Sequence, residues 1–319
     1  MTTIFLATLS PGLARARRSD DRWMVDVMVP DVDVRCLVAD PNHSGRVWAG
    51  TQGAGILRSN DAGVTWTSAG LDGMIVKALA VARDGRVYAG TKPPLLFVTE
   101  NEGRRWVELK SFRKRREFFW FSPAEKPFTP YVQGLAVNDD VIVAGIEAGA
   151  VVRSADAGET WQGHRRGALR DCHGLTAAAA GRFFEAGGTG GGAACSVDGG
   201  TSWLRPKGHR RHYGWAVAVD GDDPSLWYFS SAPGVRAHSD DADAAIYRCR
   251  DADTCIELGG GLPVPMKAMP YALITGPAAN QVVAGMSDGA VWESSDAGDS
   301  WHALFRVPGV NRAMIRLDF

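Results

Sequence analysis

The chain has 319 residues, of which 45% are hydrophobic and 22% charged, as in an ordinary globular protein. Its formal net charge of −1 argues against general nucleic-acid binding, which needs a strongly basic surface. No apolar run approaches the ~20 residues of a membrane helix. No basic residue precedes the short apolar stretch at the N-terminus, so we predict no signal peptide and no membrane partner, and expect a cytoplasmic protein.

Short apolar segments separated by glycine-rich turns recur along the whole chain. Residues 4–27 contain the first of them. From Arg35 onward a regular unit repeats, in which Arg35-Cys-Leu-Val is followed by Arg46-Val-Trp-Ala-Gly-Thr51 and then by Gly55-Ile-Leu-Arg-Ser59. Each unit predicts four antiparallel strands, one inner and three outer, which is one blade of a β-propeller.

A turn motif closes five of these units. Four copies read Ser-x-Asp-x-Gly-x-(Thr/Ser)-Trp, and a fifth has Asn in the Asp position. The side-chain oxygen accepts N–H bonds across its own turn, Gly supplies a positive φ, and Trp packs between neighbouring sheets. We interpret the Asp position as structural, and it holds Asp61, Asn101, Asp156, Asp198 and Asp296.

The spacing of the motif predicts the number of blades. Its glycines stand at positions 63, 103, 158, 200 and 298, so the last step spans two units. Residues 215–257 supply the missing unit, with Cys249 and Cys255 in the turn where the motif is lost. Residues 4–27 lack an inner strand, which residues 310–317 can supply, so the ring closes without an exposed edge. We predict an all-β domain over residues 1–319 with seven four-stranded antiparallel blades.

These motifs resemble those of the Asp-box (BNR-repeat) β-propellers, which include sialidases, sortilin-type receptors, xyloglucan hydrolases and photosystem II assembly factors. The resemblance covers nearly the whole chain. It implies the fold, and it implies that the Asp-boxes lie on the face opposite the functional one. It does not choose a function, because this architecture includes enzymes, receptors and assembly factors.

Aligning the inner strands places one residue from each blade at the mouth of the central channel. These residues are Arg35, Lys77, Gln133, His173, Trp215, Tyr271 and Arg312. Two positions earlier stand Asp33, Ile75, Tyr131, Asp171, Tyr213, Met269 and Val310. Converging cations with aromatic walls favour a ligand that carries a carboxylate, phosphate or sulfate. We predict that the seven aligned residues and Tyr213 bind an anionic small molecule or an acidic protein segment. The alternative is a water-filled structural channel.

Connectors entering the same face carry further charge. The insertion 110–130 contains the basic run Arg113–Arg116 and the aromatic run Phe118–Phe121, and it is a candidate lid over the channel. Two other connectors, residues 164–170 and 205–212, are also basic. The long loop 230–245, which holds His238 and several Asp residues, is expected to face these connectors and neutralise part of their charge.

An enzyme of the glycoside-hydrolase or lyase type in the same pocket is the alternative function. His173 would act as general base beside Asp171 and Tyr131. A base in this position would serve either a hydrolase or a lyase.

Sialidase chemistry proper would need three arginines, a Tyr nucleophile with a Glu partner, and an Asp acid. The Arg-Ile-Pro signature of sialidases is missing, and no Glu stands on the aligned ring. Glu147 and Glu293 are the nearest candidates, and we expect both to lie away from the ring. The sequence therefore argues against a true sialidase.

Five cysteines without CxxC spacing indicate buried free thiols, with a bridge between Cys249 and Cys255 as the alternative. No spacing supports a metal site formed by His173, His212 and His238. We predict no metal and no cofactor, and the sequence does not indicate an oligomeric state.

Overall fold

The computed structural model of the chain describes residues 3–20, 22–115, 120–122, 128–188, 190–309 and 312–319. Its strands form seven separate antiparallel sheets. The inner strand of each sheet contacts the inner strands of the next and the previous sheet, all the way round the ring. The predicted seven-bladed β-propeller is confirmed.

Residues 3–113 form three strands of blade 1 and the whole of blades 2 and 3. Blade 1 begins with β1 (Thr3–Thr8), β2 (Leu13–Ser19) and β3 (Arg22–Met28). Blade 2 contains β4 (Val34–Ala39), β5 (Val47–Thr51), β6 (Ile56–Ser59) and β7 (Thr67–Ser68). Blade 3 contains β8 (Ile75–Val81), β9 (Val87–Lys92), β10 (Leu96–Thr99) and β11 (Val107–Glu108), followed by helix α1 (Lys110–Arg113).

Four further blades follow. Blade 4 contains β12 (Val132–Asn138), β13 (Val141–Ile146) and β14 (Val151–Ser154), and blade 5 contains β15 (Cys172–Ala178), β16 (Arg182–Gly187) and β17 (Gly192–Ser196). Blade 6 contains β18 (Tyr213–Val219), β19 (Leu226–Ala232), a 3-10 helix (Val235–His238), β20 (Ala245–Arg250) and β21 (Ile256–Glu257). Blade 7 contains β22 (Pro270–Thr275), β23 (Val282–Met286), β24 (Ala290–Ser294) and β25 (His302–Arg306). In blades 4 and 5 the fourth strand is reduced to one bridge, Arg153 with Gln162 and Cys195 with Leu204.

The ring is closed by the last strand, β26 (Met314–Asp318), which is the inner strand of blade 1. It pairs antiparallel with β1, from Thr3 opposite Asp318 to Ala7 opposite Met314. The Thr8 hydroxyl accepts the backbone N–H groups of Arg312 and Ala313, which holds the chain at the entry to this strand. The predicted closure is therefore confirmed, and β1 has no exposed edge.

The core lies between neighbouring blades. The second strands β5, β9 and β19 are buried along their whole length, because each blade is covered on both faces by its neighbours. Trp48, Tyr88 and Trp227 on these strands are among the largest fully buried side chains. Among the described helices, each only four residues long, none could span a membrane.

The motif turns have the hydrogen bonds that the sequence predicts. In blade 2, Asp61 Oδ1 accepts the N–H of Thr65 at 2.9 Å, and the Ser59 hydroxyl accepts the N–H of Gly63 at 2.9 Å. Gly63 has φ +83°, and the Trp66 indole donates to its carbonyl at 3.1 Å. Because successive strands run in opposite directions, these turns lie on the face opposite the start of the inner strands.

The turn between β20 and β21 corrects one expectation. Cys249 and Cys255, expected mainly as free thiols, form a disulfide, whereas Cys36, Cys172 and Cys195 are free. Tyr247 pairs with Glu257 and Arg248 with Ile256 across this hairpin. The next positions along the two strands are the two cysteines, so their Cα atoms lie 4.3 Å apart.

Candidate functional site

A β-bulge near the start of the inner strand recurs in six blades. The pairing register with the second strand shifts between Val34 and Cys36 in blade 2, and at the equivalent positions of blades 3 to 7. The residues within the bulges include Arg35, Lys77, Gln133, His173, Trp215 and Tyr271. A bulge turns its extra residue out of the regular alternation, which is how a strand can direct one side chain into a site.

A cavity of about 470 Å³ lies at the mouth of the channel, on the face opposite the motif turns. Seven of the eight predicted ligand-binding residues line it, namely Arg35, Lys77, Gln133, Tyr213, Trp215, Tyr271 and Arg312. The eighth, His173, is only 6% exposed and lines the narrower channel behind the cavity. Of the other predicted catalytic residues, Tyr131 lines the cavity, and Asp171 contacts His173.

The cationic side of the cavity comes from three consecutive blades. Arg312 precedes the inner strand of blade 1, and Arg35 and Lys77 come from blades 2 and 3. Arg35 forms an ion pair with Asp33 at 2.7 Å, and Lys77 Nζ lies 4.9 Å from the ring centre of Tyr131. Within the described part of the chain, the Arg312 guanidinium has no hydrogen-bond or ion-pair partner. Arg312 is exposed.

Aromatic side chains from blades 6 and 7 line another part of the cavity. Tyr213 and Trp215 belong to blade 6 and Tyr271 to blade 7. The ring centres of Trp215 and Tyr271 are 5.0 Å apart, and those of Tyr213 and Trp215 are 6.4 Å apart. Burial raises the pKa of both tyrosines, so both are neutral phenols at pH 7. The cavity is thus lined both by cations and by aromatic side chains.

The loop between β19 and β20 supplies residues that the repeat could not reveal. Its 3-10 helix places His238 in the cavity, together with Ala237, Ser239 and Asp240. His238 Nε2 lies 3.0 Å from the Tyr213 hydroxyl, and Nδ1 lies 2.7 Å from the Tyr271 hydroxyl. The expected neutralisation of basic connectors is present at Asp243, which pairs with Arg211 at 2.9 Å.

Glu147 is a second lining residue that the inner-strand alignment missed. It follows β13, and its N–H donates to the Tyr131 carbonyl at 3.2 Å. Its position could have been predicted from the sequence, because the second strand of a blade ends at the face where the inner strand begins. Glu293 does not line the cavity. It accepts a hydrogen bond from Gln281 at 2.7 Å and pairs with Arg316.

His173 is held on both ring nitrogens by the protein. Its Nδ1 lies 2.8 Å from the Gly214 carbonyl and its Nε2 3.5 Å from Asp171 Oδ1. Burial lowers the pKa of His173, but Asp171, the Gly214 carbonyl and Glu147 outweigh burial, so the pKa is raised overall. This arrangement favours a positive charge beneath the cavity and leaves neither nitrogen directed at a ligand.

The predicted basic connectors have mainly structural contacts. Arg165 donates to the Thr201 carbonyl, and Arg205 to the Gly190 carbonyl. In the insertion, Trp120 is buried against Phe112, with ring centres 6.1 Å apart, while Phe121 is exposed. Residues 116–119 and 123–127 of the candidate lid lie outside the described residues, as does Val310.

In the ranges that the structure describes, no group of three His, Cys, Asp or Glu side chains is arranged to hold a metal ion. His212 lies beside His209, with ring centres 5.2 Å apart, whereas His173 and His238 belong to the channel and the cavity. The three histidines considered together from the sequence therefore do not form one site.

No family model matches the chain, and no curated protein matches its sequence. Solved structures are similar, among them a GH74 xyloglucanase from Xanthomonas campestris with a TM-score of 0.72 and 17% identity. That match covers 95% of this chain and 52% of the xyloglucanase, and an ancestral GH74 enzyme is matched over 39% of its length. This chain thus spans about half or less of these two enzymes.

Two other similar structures are matched over most of their length. YCF48 bound to D1 peptide has a TM-score of 0.58 and 17% identity, over 85% of this chain and 81% of YCF48. The WD40 repeats of RRP9 have a TM-score of 0.62 and 15% identity, over 97% and 88%. At such identities the likeness concerns the fold alone: the chain is a seven-bladed β-propeller, similar in architecture to two GH74 enzymes, YCF48 and the WD40 repeats of RRP9.

Proposed function

We propose that the cavity at the channel mouth binds an anionic ligand, either a small molecule or an acidic segment of a partner protein. One observation supports this most: Arg312, Arg35 and Lys77, from three consecutive blades, line one 470 Å³ cavity together with several aromatic side chains. A cavity of this size suits a small ligand or a few residues of a peptide.

The division of the cavity suggests how the ligand would lie. An acid group would contact the Arg312 guanidinium, whose planar set of donors matches a carboxylate, phosphate or sulfate. The body of the ligand would pack against Trp215 and Tyr271, where a ring or an apolar chain finds an aromatic surface. Glu147 and Asp240, which also line the cavity, would accept hydrogen bonds from ligand hydroxyl or amino groups.

The hydrogen bonds of the motif turns support the assignment of the chain to the Asp-box propellers. The motif turns have the bonding expected of Asp-boxes, and hydrogen bonds from Thr160 and Ser154 lower the pKa of Asp156 to about 2. We therefore place the chain with the Asp-box propellers. The similar propeller YCF48 was solved with a D1 peptide, which supports peptide binding by a propeller of this shape.

The test is a triple variant, Arg35→Gln, Lys77→Met and Arg312→Gln. We expect it to lose more than tenfold in affinity for sulfate, citrate or a poly-glutamate peptide, because even one charge-assisted contact contributes about 1.5 kcal/mol or more. Isothermal titration calorimetry measures the affinity, and the melting temperature should change by only a few degrees.

The matched control replaces Arg17, Arg250 and Arg306 by Ala. These three form exposed ion pairs with Asp26, Asp223 and Asp288, so the control makes the same change in net charge without touching the cavity. It should bind like the wild type. Equal weakening in both variants, or no weakening in the first, would show that the anion binds elsewhere.

Glu147 provides the specific observation for the enzymatic alternative. Its carboxylate lines the cavity, and its charge contributes to raising the pKa of Tyr213 after burial and Asp171. A carboxylate is one of the groups that can act as the acid or base of a hydrolase or lyase. The similar GH74 xyloglucanase supports glycoside hydrolysis on this architecture.

If that alternative holds, Glu147→Gln should abolish release of methylumbelliferone from 4-methylumbelliferyl glycosides of neutral and acidic sugars. Sulfate binding should persist, because the cations are unchanged. Replacing the exposed Glu159 in the same way is the control and should leave the rate unaltered. No release by the wild-type protein from the whole panel would eliminate the alternative.

We also propose a cytoplasmic location. The three free cysteines fit a reducing compartment, whereas the Cys249–Cys255 disulfide is of a kind more common in oxidising ones. Counting the reactive thiols of protein taken directly from fractionated cells would distinguish a reducing compartment from an oxidising one.

A further inference from the structure

We propose that His238 is a fourth anion-binding side chain of the cavity, which takes up a proton from solvent as the ligand binds. This inference rests on the proposed anion-binding function and adds proton coupling to it. The side chain is held between Tyr213 and Tyr271, and it lines the same cavity as Arg312.

The hydrogen bonds around His238 determine its resting tautomer. The Tyr271 hydroxyl donates its single proton to the Ala237 carbonyl at 3.1 Å. His238 Nδ1, at 2.7 Å, must therefore donate to the Tyr271 oxygen. A neutral imidazole has only one N–H, so Nε2 has none and accepts the proton of the Tyr213 hydroxyl at 3.0 Å.

The surroundings keep this imidazole neutral while the cavity is empty. Burial lowers its pKa, and the positive charges of His173 and Arg312 lower it further. Its two neighbouring phenols, on β18 and β22, are neutral, and Glu147 lies on another blade of the same cavity. On its own loop, Arg236 and Asp241 pair with each other at 2.5 Å, and Asp240 lines the cavity.

A bound anion reverses the effect of Arg312. Once an acid group contacts this guanidinium, its positive charge no longer opposes protonation of His238, and the anion itself favours the imidazolium. The proton must enter at Nε2, because Nδ1 already has one. The Tyr213 oxygen then accepts the new Nε2–H, so the O–H bond of Tyr213 rotates away from His238 and its proton becomes available to the ligand. One proton taken from water thus provides a cation and a hydroxyl donor together.

Linkage gives the measurable consequence. If the complex holds one proton more than the free protein, the affinity rises as the pH falls, by up to tenfold per pH unit. The rise is confined to pH values between the pKa of His238 in the free protein, which is below its ordinary value of 6.5, and the higher pKa in the complex. Above both values the affinity is constant.

The experiment uses sulfate, which stays a dianion between pH 5 and 8, so the ligand contributes no titration. Calorimetry at several pH values, in buffers of different ionisation enthalpy, measures both affinity and proton uptake. We expect sulfate to bind the wild type at least threefold more tightly at pH 5.5 than at pH 7.5, with uptake of up to one proton.

The variant His238→Asn retains a side-chain N–H for Tyr271 but cannot take up a proton. We expect it to lose most of the pH dependence, so that its sulfate affinities at pH 5.5 and pH 7.5 differ by less than twofold. His212→Asn, at an exposed histidine that is not part of the cavity lining, is the matched control and should keep the wild-type pH dependence.

The outcomes separate the two proposals. Wild-type pH dependence in His238→Asn would overturn the role of His238 and leave the anion-binding function intact. No sulfate binding at any pH would overturn both. Nitrogen-15 NMR of the free protein is an independent check, since a proton on Nε2 of His238 at pH 7.5 would contradict the inferred tautomer.

Discussion

Glu185 shows at the scale of one residue how burial changes the chemistry of a side chain. It lies on β16 and is fully buried. Its Oε1 accepts the N–H of Leu169, and its Oε2 has no hydrogen-bond partner within the described residues. Burial raises the pKa of Glu185 to about 8, although the Leu169 N–H and Arg205 act in the opposite direction.

This burial predicts a stability that falls with pH. The folded state holds the proton up to about pH 8, whereas the unfolded chain releases it near the ordinary glutamate pKa of 4.5, so the folded protein binds more protons in this window. The contribution is fully present below pH 4.5 and is lost as the pH rises through 8. Between these values the free energy of unfolding should fall by about 1.4 kcal/mol per pH unit from this residue.

Glu185→Gln should therefore flatten the pH dependence of the free energy of unfolding. Between pH 6 and pH 9 the variant should lose less stability than the wild type. Urea denaturation at these two values measures the difference, with Glu159→Gln, at an exposed position, as the control. A wild type and a Glu185→Gln variant that lose equal stability between pH 6 and 9 would contradict the assignment.

At the scale of an element, the β20–β21 hairpin contains a disulfide where five other blades have a motif turn. The Cys249–Cys255 bond closes a loop with a sequence separation of only six residues, so chain entropy predicts a stabilisation of about 2 kcal/mol. Replacing both cysteines by Ser, or reducing the bond, should lower the free energy of unfolding by that amount. Denaturation with and without a phosphine reductant measures it.

The Ser–Ser variant is also the control, because reductant should not affect it. The hairpin lies next to the connector 205–212, where the Cys255 N–H donates to the Lys207 carbonyl at 2.7 Å. A wild type whose stability is insensitive to the reductant would show that strand pairing alone holds this turn.

The repeat made the blades predictable, and the same repeat limited what could be foreseen of the site. Arg35 and Lys77 were placed correctly at the mouth because they stand at one register in consecutive inner strands. Glu147 and His238 reach the cavity from connectors outside that register, so the aligned ring could not include them. The bulges were also hidden, because a shift of one residue in pairing leaves no mark on an apolar pattern.

At the scale of the whole molecule, the charge of the cavity depends on blade order. Arg312, Arg35 and Lys77 lie side by side only because blade 1 is completed by β26, which brings Arg312 next to blade 2. The sequence alone shows three cations scattered over almost the entire chain. The closure that unites them could be predicted, since residues 4–27 lacked an inner strand and the C-terminal segment had no other partner.

That closure has a consequence for the order of events during synthesis. Thr3 on β1 bonds Asp318 on β26 across a sequence separation of 315 residues. At typical elongation rates β1 leaves the ribosome roughly 15–60 s before its partner strand exists. Throughout that interval the nascent chain presents an unpaired strand edge, which is prone to pairing with other chains. The strand that completes the proposed anion site is therefore synthesised last, and until then the nascent chain is accessible to chaperones and prone to aggregation.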